Sequence, residues 1–164
     1  MGVIISHAPY MPGNIAQVVN FQTGEVATGA VIIPYDDTKP QQTEGVEFMT
    51  LAITPKRITN NLKIEVVFCF SYANANDMCV ALFQDDTADA IACGGWRLPN
   101  GNLMQSPVNF NHFMPAGTLL PTTFKVRAGG TQAGVFTFNG VASARQYGGA
   151  LASSITITEI TQFV

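Results

Sequence analysis

Strict alternation of apolar and polar residues is the feature that most constrains the fold of this chain. The segment TFKVR at residues 123–127 and the segment ITIT at residues 155–158 each place apolar side chains on one face and polar side chains on the other. A period of two is the period of a β-strand with one buried face. One-sided burial indicates an antiparallel sheet, because the strands of parallel sheets read as continuous apolar runs.

The same alternation recurs upstream between turns rich in glycine, proline, asparagine and aspartate. In Leu62–Tyr72 the apolar face is unbroken, while the opposite face changes from Lys63 and Glu65 to Val67 and Cys69. That change predicts either a second layer or a subunit contact on this face. Further strands are expected at Ile15–Phe21, Ala30–Ile33, Phe48–Thr54, Met78–Phe83, Ala90–Trp96 and Val108–Met114, with three more within residues 122–160. About eight to ten strands and no helix predict an all-β antiparallel sandwich or jelly roll.

The 164 residues fit one domain, which we place at residues 15–164. Residues 1–14 show neither strand nor helix periodicity, so we interpret them as an extended N-terminal arm. A frayed terminus is the alternative. The apolar content of the arm favours docking onto a larger assembly by strand addition or groove binding. The candidate docking residues are Val3, Ile4, Ile5, Tyr10 and Met11.

Charged residues make up only 12% of the chain, about half the usual fraction of roughly 25%. Burying part of so weakly charged a surface in symmetric contacts would explain the deficit, so we expect an obligate oligomer. A net charge of −3 and scattered basic residues argue against nucleic acid as a partner. The chain contains no apolar run long enough to span a bilayer and no secretory signal at its start, so membrane insertion is not expected.

Residues capable of chemistry are few. The cluster Asp85, Asp86 and Asp89 could bind an ion, but its spacing fits the capping of a hairpin turn better. The two histidines, His7 and His112, complete no catalytic motif, and His112 fits a strand-surface or interface position. We therefore expect no catalytic residues, no metal and no cofactor. The three cysteines, Cys69, Cys79 and Cys93, are too widely spaced for a zinc-type cluster. Cys69 and Cys79 lie in predicted strands and are expected to be small buried residues.

Two polar segments are candidate binding loops, at residues 71–77 and 97–105. Aromatic, asparagine and arginine side chains can stack on a sugar or planar ligand and hydrogen-bond to it. Trp96 also has a simpler interpretation, in which it ends a strand and covers the core. The candidate receptor-facing residues are Tyr72, Asn74, Asn76, Trp96, Arg97, Asn100 and Asn102.

A series of short motifs resembles a short all-β domain of bacteriophage virion proteins that is found at the C-terminal end of tail-fibre polypeptides. The motifs, in order, are QVVN at residues 17–20, TG at 23–24, IP at 33–34, QQTEG at 41–45, TLAITP at 50–55, NLKI at 61–64, ALFQD at 81–85, FNG at 138–140 and SSITIT at 153–158. The resemblance implies a homotrimeric, jelly-roll-like virion component without catalytic activity.

Two functions are consistent with that resemblance. The chain could decorate or cement a phage capsid, docked by its arm onto another virion protein after synthesis in the host bacterial cytoplasm. It could instead form a tail-fibre tip that binds a host cell-surface glycan or protein. The short arm favours capsid decoration, since a fibre needs a shaft and only about 14 residues precede the domain.

Overall fold

The structure is a computed structural model that describes residues 14–73, 76–98, 103 and 105–162. All of the arm except Asn14 lies outside the described residues, and so do the candidate docking residues. The described chain folds into β-strands with a single 3-10 turn at Tyr147–Gly149.

The strands, in chain order, are β1 (Ile15–Thr23), β2 (Ala27–Gly29), β3 (Val46–Ile53), β4 (Asn61–Tyr72), β5 (Asn76–Gln84), β6 (Ala92–Leu98), β7 (Gln105–Pro115), β8 (Thr122–Gly130), β9 (Phe136–Phe138), β10 (Gly140–Val141), β11 (Ala144–Arg145) and β12 (Ser153–Ile160). Every pair among them is antiparallel, as the alternation predicts.

The long strands form two sheets. The six-stranded sheet has the order β1-β12-β4-β7, and β9 and β2 extend it beyond the end of β12. The four-stranded sheet has the order β3-β8-β5-β6. If only the eight long strands are numbered along the chain, the two orders are 1-8-3-6 and 2-7-4-5, which is the arrangement of a jelly roll. The all-β jelly-roll prediction is therefore confirmed.

The core lies between the two sheets, and β4 runs through its centre. Alternate residues of β4 from Leu62 to Tyr72 are almost fully buried against the inner faces of β5 and β8. Phe68 packs on Phe48 and Phe138, with ring centroids 5.5 and 4.9 Å apart. Each such buried aromatic contributes about 1.5–3 kcal/mol of apolar burial, which makes β4 the main anchor of the sandwich.

The predicted strand Ala30–Ile33 is not formed, and β2 lies a few residues earlier. Residues 30–45, here called the covering segment, instead cross the outer face of the four-stranded sheet. Ile33 is buried there with Phe83, and its amide donates to the carbonyl of Gly130 at 3.1 Å. A Cβ on Gly129 would lie 2.6 Å from the carbonyl oxygen of Val31, so this close approach requires glycine. Tertiary packing has replaced the strand that local pattern predicted.

Glu159 is a buried carboxylate that anchors the connection from β3 to β4 on the six-stranded sheet. It continues the inward face of β12, where it accepts hydrogen bonds from the side chains of Asn60 and Gln17, both at 2.6 Å. The backbone amides of Lys56 and Arg57, in the connection from β3 to β4, donate to it at 2.9 and 3.3 Å. Desolvation alone would raise the pKa of Glu159, but these hydrogen bonds together hold it below its ordinary value.

Candidate functional site: a neutral face and a groove

The two outer surfaces of the sandwich differ in charge. The outer face of the six-stranded sheet, here called the neutral face, carries two charged residues in four strands, Lys63 and Glu65. Their side chains pair with each other at 2.8 Å, so the face has no net charge. The neutral face consists of Val18, Asn20, Gln22, Lys63, Glu65, Val67, Asn109, Asn111, Phe113, Ser154, Thr156 and Thr158.

Large apolar side chains are exposed on the neutral face. Phe113 is 54% exposed, Val18 52% and Val67 36%, and they lie on three different strands. Two polar residues of the face are paired with each other, since the Asn20 amide donates to the Thr156 hydroxyl at 2.8 Å. An uncharged, partly apolar sheet face is the composition expected of a protein-protein contact rather than of a free surface. The exposure of Val67 favours the subunit-contact interpretation of the apolar end of β4.

The opposite side of the sandwich, here called the charged side, carries most of the charged residues. Arg127 donates to the carbonyl oxygens of Glu44 and Gly45, both at 2.9 Å, and so fixes the covering segment to β8. Many other charges lie in the turns around it and face solvent. The charged residues of this side are Asp36, Asp37, Lys39, Glu44, Glu47, Asp77, Asp85, Asp86, Asp89, Arg97, Lys125 and Arg127.

A groove of about 420 Å³ opens on the charged side, between the covering segment and the outer face of β5 and β6. We call it the Tyr35 groove. Its volume lies within the range of roughly 300–1,000 Å³ that is typical of small-molecule sites. Its principal lining residues are Pro34, Tyr35, Asp36, Thr38 and Pro40 from the covering segment, Asp77, Cys79, Cys93, Gly95 and Arg97 from the two strands, and Thr131.

Arg97 and Trp96, two of the predicted receptor-facing residues, both line this groove but from different sides of β6. Arg97 lies opposite Asp77 on the outer face, with its Nε atom 3.9 Å from the carboxylate. Trp96 lies opposite the buried Met78, so strand alternation directs its side chain to the inner side. The indole is 47% exposed, consistent with covering the open end of the core.

Tyr72 and Asn76 are not receptor-facing, and those two predictions are wrong. Tyr72 is 1% exposed, and its hydroxyl donates to the carbonyl of Gln132 at 3.1 Å. The buried Asn76 amide donates to the same carbonyl at 3.2 Å, and its own carbonyl accepts from Thr131. The inward face of β4 simply continues to Tyr72, so both side chains close the end of the sandwich. Three other candidates, Asn74, Asn100 and Asn102, lie outside the described residues.

The carboxylates of Asp85, Asp86 and Asp89 do not converge on one point. The two oxygens of Asp85 accept from the Thr123 amide at 2.7 Å and the Thr122 hydroxyl at 2.8 Å. Asp89 accepts from Gln41 at 2.9 Å, in a separate contact. These contacts match the turn-capping interpretation. In the ranges that the structure covers, no cluster of three potential metal-binding side chains is found.

The cysteines are less buried than the sequence suggests. Cys69 and Cys79, which were expected to be buried, are half-buried, and Cys93 is exposed in the Tyr35 groove. Cys79 lies diagonally across from Cys93 on the neighbouring strand. Desolvation, reinforced by Cys93, raises the pKa of Cys79 to about 12, which keeps this thiol protonated and weakly nucleophilic.

His112 lies opposite the buried Ile64, on the inward side of β7, and not on the outer surface of the sandwich. It is half-buried at the edge of the sheet, and desolvation lowers its pKa below the ordinary value. Among the described residues no side chain forms a hydrogen bond with this imidazole, which fits a structural position in the strand.

Comparisons with solved structures give distant likenesses. No protein-family model and no curated protein matches the chain. A structure of Eiger TNF from S. frugiperda aligns at 8% identity and a TM-score of 0.48, over 90% of this chain and 95% of that one. A structure of infectious bursal disease virus, Gx strain, aligns at 13% identity and 0.41, over 95% of this chain and 40% of that one. The enzymatically active domain of bacteriophage CBA120 tailspike protein 4 aligns at 17% identity and 0.30, over 77% and 19%.

Within the described residues, no helix has the length and apolar character needed to cross a membrane.

Proposed function

We propose that the chain is a non-enzymatic structural protein on the surface of a tailed-phage virion. In this proposal three copies form a homotrimer that decorates or cements the capsid, and the N-terminal arm of residues 1–14 docks the trimer onto another virion protein. The sequence motifs that resemble the phage domain and the jelly-roll order of the strands support this role.

The neutral face is the observation that carries the proposal. A free monomer would expose Val18, Val67 and Phe113 on one uncharged sheet, although charge is plentiful on the opposite sheet. Association through the neutral face would bury these side chains, and the charged side would remain in contact with solvent. A surface protein that assembles through one side needs a contact face with little charge and an outward side that stays hydrated.

Light scattering of the purified chain at micromolar concentration tests the assembly. We expect a mass of three times the 17.5 kDa of one chain. A stable monomer would contradict both the trimer and the interpretation of the neutral face.

Immunogold labelling of intact phage particles tests the location. Gold over the head is the expected result for a decoration protein. Deleting residues 1–14 should then leave the trimer folded, with an unchanged circular dichroism spectrum, while abolishing its binding to undecorated capsids. Continued binding by the truncated trimer would show that the arm is not the tether.

A receptor-binding role at a tail-fibre tip is the second candidate function. The observation that favours it is the Tyr35 groove, which lies on the charged side and would therefore remain accessible in a trimer formed through the neutral face. Gold at the tail end of the particle would support this role and exclude capsid decoration. Labelling of neither structure would contradict a virion protein of either kind.

A further inference from the structure

The Tyr35 groove combines an exposed aromatic side chain, paired charges and fixed walls. We propose that it binds a neutral pyranose unit of a glycan, with Tyr35 stacking on the sugar ring and Asp36 accepting hydrogen bonds from its hydroxyl groups. This inference deepens the second candidate function, but the binding itself can be tested on the isolated protein.

The aromatic element of the groove is Tyr35, which is 81% exposed between Pro34 and the charged Asp36. An isolated tyrosine so exposed gains little from the fold, because most of its ring remains in water. It lines a groove whose floor includes Gly95, where the absence of a side chain leaves the strand backbone open. The apolar face of a sugar ring fits between an aromatic ring and such a floor.

The carboxylate of Asp36 is positioned for binding before any ligand arrives. Its Oδ1 atom accepts from the backbone amide of Thr38 at 2.8 Å and from the Thr38 hydroxyl at 2.5 Å. Asp36 is exposed, and in the described part of the chain its Oδ2 atom has no hydrogen-bond donor. The hydrogen bonds from Thr38 lower the pKa of Asp36, so at neutral pH the group is a carboxylate that only accepts.

Both ends of the groove wall are anchored, so the groove does not have to form on binding. At one end Ile33 is buried and hydrogen-bonded to Gly130. At the other end the carbonyl of Pro40 accepts from the amide of Ala90 at 2.8 Å, and Gln41 bridges to Asp89. Fixed walls reduce the entropy that ligand binding would otherwise lose.

The charges of the groove select against anions. Arg97 is paired with Asp77, and Asp36 adds a further negative charge without a cationic partner among the described residues. Phosphate, sulfate or an acidic sugar would therefore meet a net negative site. The hydroxyl groups of a neutral pyranose can donate to Asp36 and Asp77 and accept from Arg97, which makes this class of ligand the best fit.

Titration of ¹⁵N-labelled protein with methyl α-mannoside, methyl α-glucoside and methyl β-galactoside, followed by NMR, tests the proposal. We expect at least one of them to cause saturable shifts of the amides of Thr38 and Gly95, with a Kd of about 1 mM. N-acetylneuraminic acid is expected to cause none. The absence of saturable shifts with all three neutral glycosides, or stronger binding of the acidic sugar, would overturn the proposal.

Three variants separate stacking from general effects. Tyr35→Ala should weaken binding about tenfold or more, whereas Tyr35→Phe should retain it because the ring remains. Tyr147→Ala is the matched control, since Tyr147 is similarly exposed, at 76%, but lies in the turn before β12, away from the groove. Equal binding by Tyr35→Ala and the control would contradict the stacking role.

The immunogold result distinguishes this inference from the tail-fibre role. If the protein binds sugar but gold labels the phage head, the groove inference stands and only the tail-fibre role is rejected.

Discussion

The neutral face and the charged side are built from the same kind of sheet, yet they use polar residues differently. On the neutral face, asparagine, threonine and serine alternate with exposed valine and phenylalanine, and the pair Lys63–Glu65 neutralises itself. On the charged side, Arg127 and Lys125 form hydrogen bonds that hold the covering segment and the Asp85 turn in place. The charged residues are therefore unevenly distributed: the outer face of the six-stranded sheet has few of them, and the opposite side has most.

This difference indicates separate roles for the two sides, one for contact between copies of the chain and the other for exposure to solvent. A face without net charge can be buried against neighbouring copies of the chain without desolvating unpaired ions. A charged side resists such contacts and keeps loops and grooves hydrated. The four predictions that follow test whether the two sides behave in this way.

A lysine introduced at the centre of the neutral face should have the largest effect. In the proposed trimer, Val67→Lys would bury an unpaired charge between subunits and weaken self-association roughly 100-fold or more. Thr50→Lys, at an exposed position of β3 on the charged side, is the control and should leave the trimer intact. Light scattering across a concentration series measures both, and dissociation of the control alone would reverse the assignment of the two sides.

Loss of the buried carboxylate of Glu159 should lower the stability of the folded chain itself, independently of its assembly. Glu159→Gln keeps the volume but leaves amide donors without a charged acceptor, which should lower the free energy of unfolding by about 2 kcal/mol at pH 7. The folded pKa of Glu159 lies below its ordinary value, so its contribution is present above about pH 4.5 and is lost as the pH falls through the folded pKa.

Urea unfolding at pH 7 and at pH 3 measures this contribution. The wild-type protein and Glu159→Gln should differ most at pH 7 and converge as the medium becomes more acidic. If the difference in free energy of unfolding between the two proteins were the same at both pH values, the charge of the carboxylate would not be the source of the stabilisation.

Replacing the guanidinium that fixes the covering segment should have a smaller and more local effect. Arg127→Lys keeps the charge but removes the planar fork whose Nε and Nη2 atoms donate to the carbonyls of Glu44 and Gly45, so we expect a loss of about 1 kcal/mol. Limited proteolysis should then cut within residues 30–45 sooner than in the wild type, without any change in oligomer mass. Unchanged proteolysis would indicate that burial of Ile33 alone holds the segment.

An exposed ion pair on the charged side should matter least. Lys39 and Asp89 approach to 3.6 Å with side chains 70% and 55% exposed. Lys39→Met should change the free energy of unfolding by less than about 0.5 kcal/mol and leave the oligomer mass unaltered. A larger loss in thermal or urea unfolding would mean that the charged side contributes to stability as much as the core does.

Much of the fold could be predicted because strand alternation is local. The inward faces of β4, β8 and β12 were read correctly from their residues, and so was the antiparallel class. Tyr72 was predicted to be exposed only because the strand was assumed to end in a polar turn, although its position continues the apolar face. Glu159 continues the face of Ile155 and Ile157 in the same way, and this period-2 signal could have identified it as buried.

The candidate site was less predictable, because it depends on residues far apart in the chain. The sequence identifies Arg97 as a surface residue, but its neighbours in the groove, Tyr35 and Asp36, come from the covering segment. The sequence pattern predicts a strand at the start of that segment, and the structure does not form it. The irregular path of that segment is set by burial of Ile33 on the outer face of the four-stranded sheet, a contact that no local rule supplies.

The sequence by itself determined which side chains of each strand point inward, because a period of two is a property of the backbone and needs no partner. Only the tertiary structure decided which outward faces adjoin one another. The register of β1, β12, β4 and β7 brings mostly uncharged residues, together with the pair Lys63–Glu65, from four distant segments onto one sheet. The covering segment completes a groove on the other sheet. Such surfaces arise from long-range pairing, whose choice depends on the packing of the whole core.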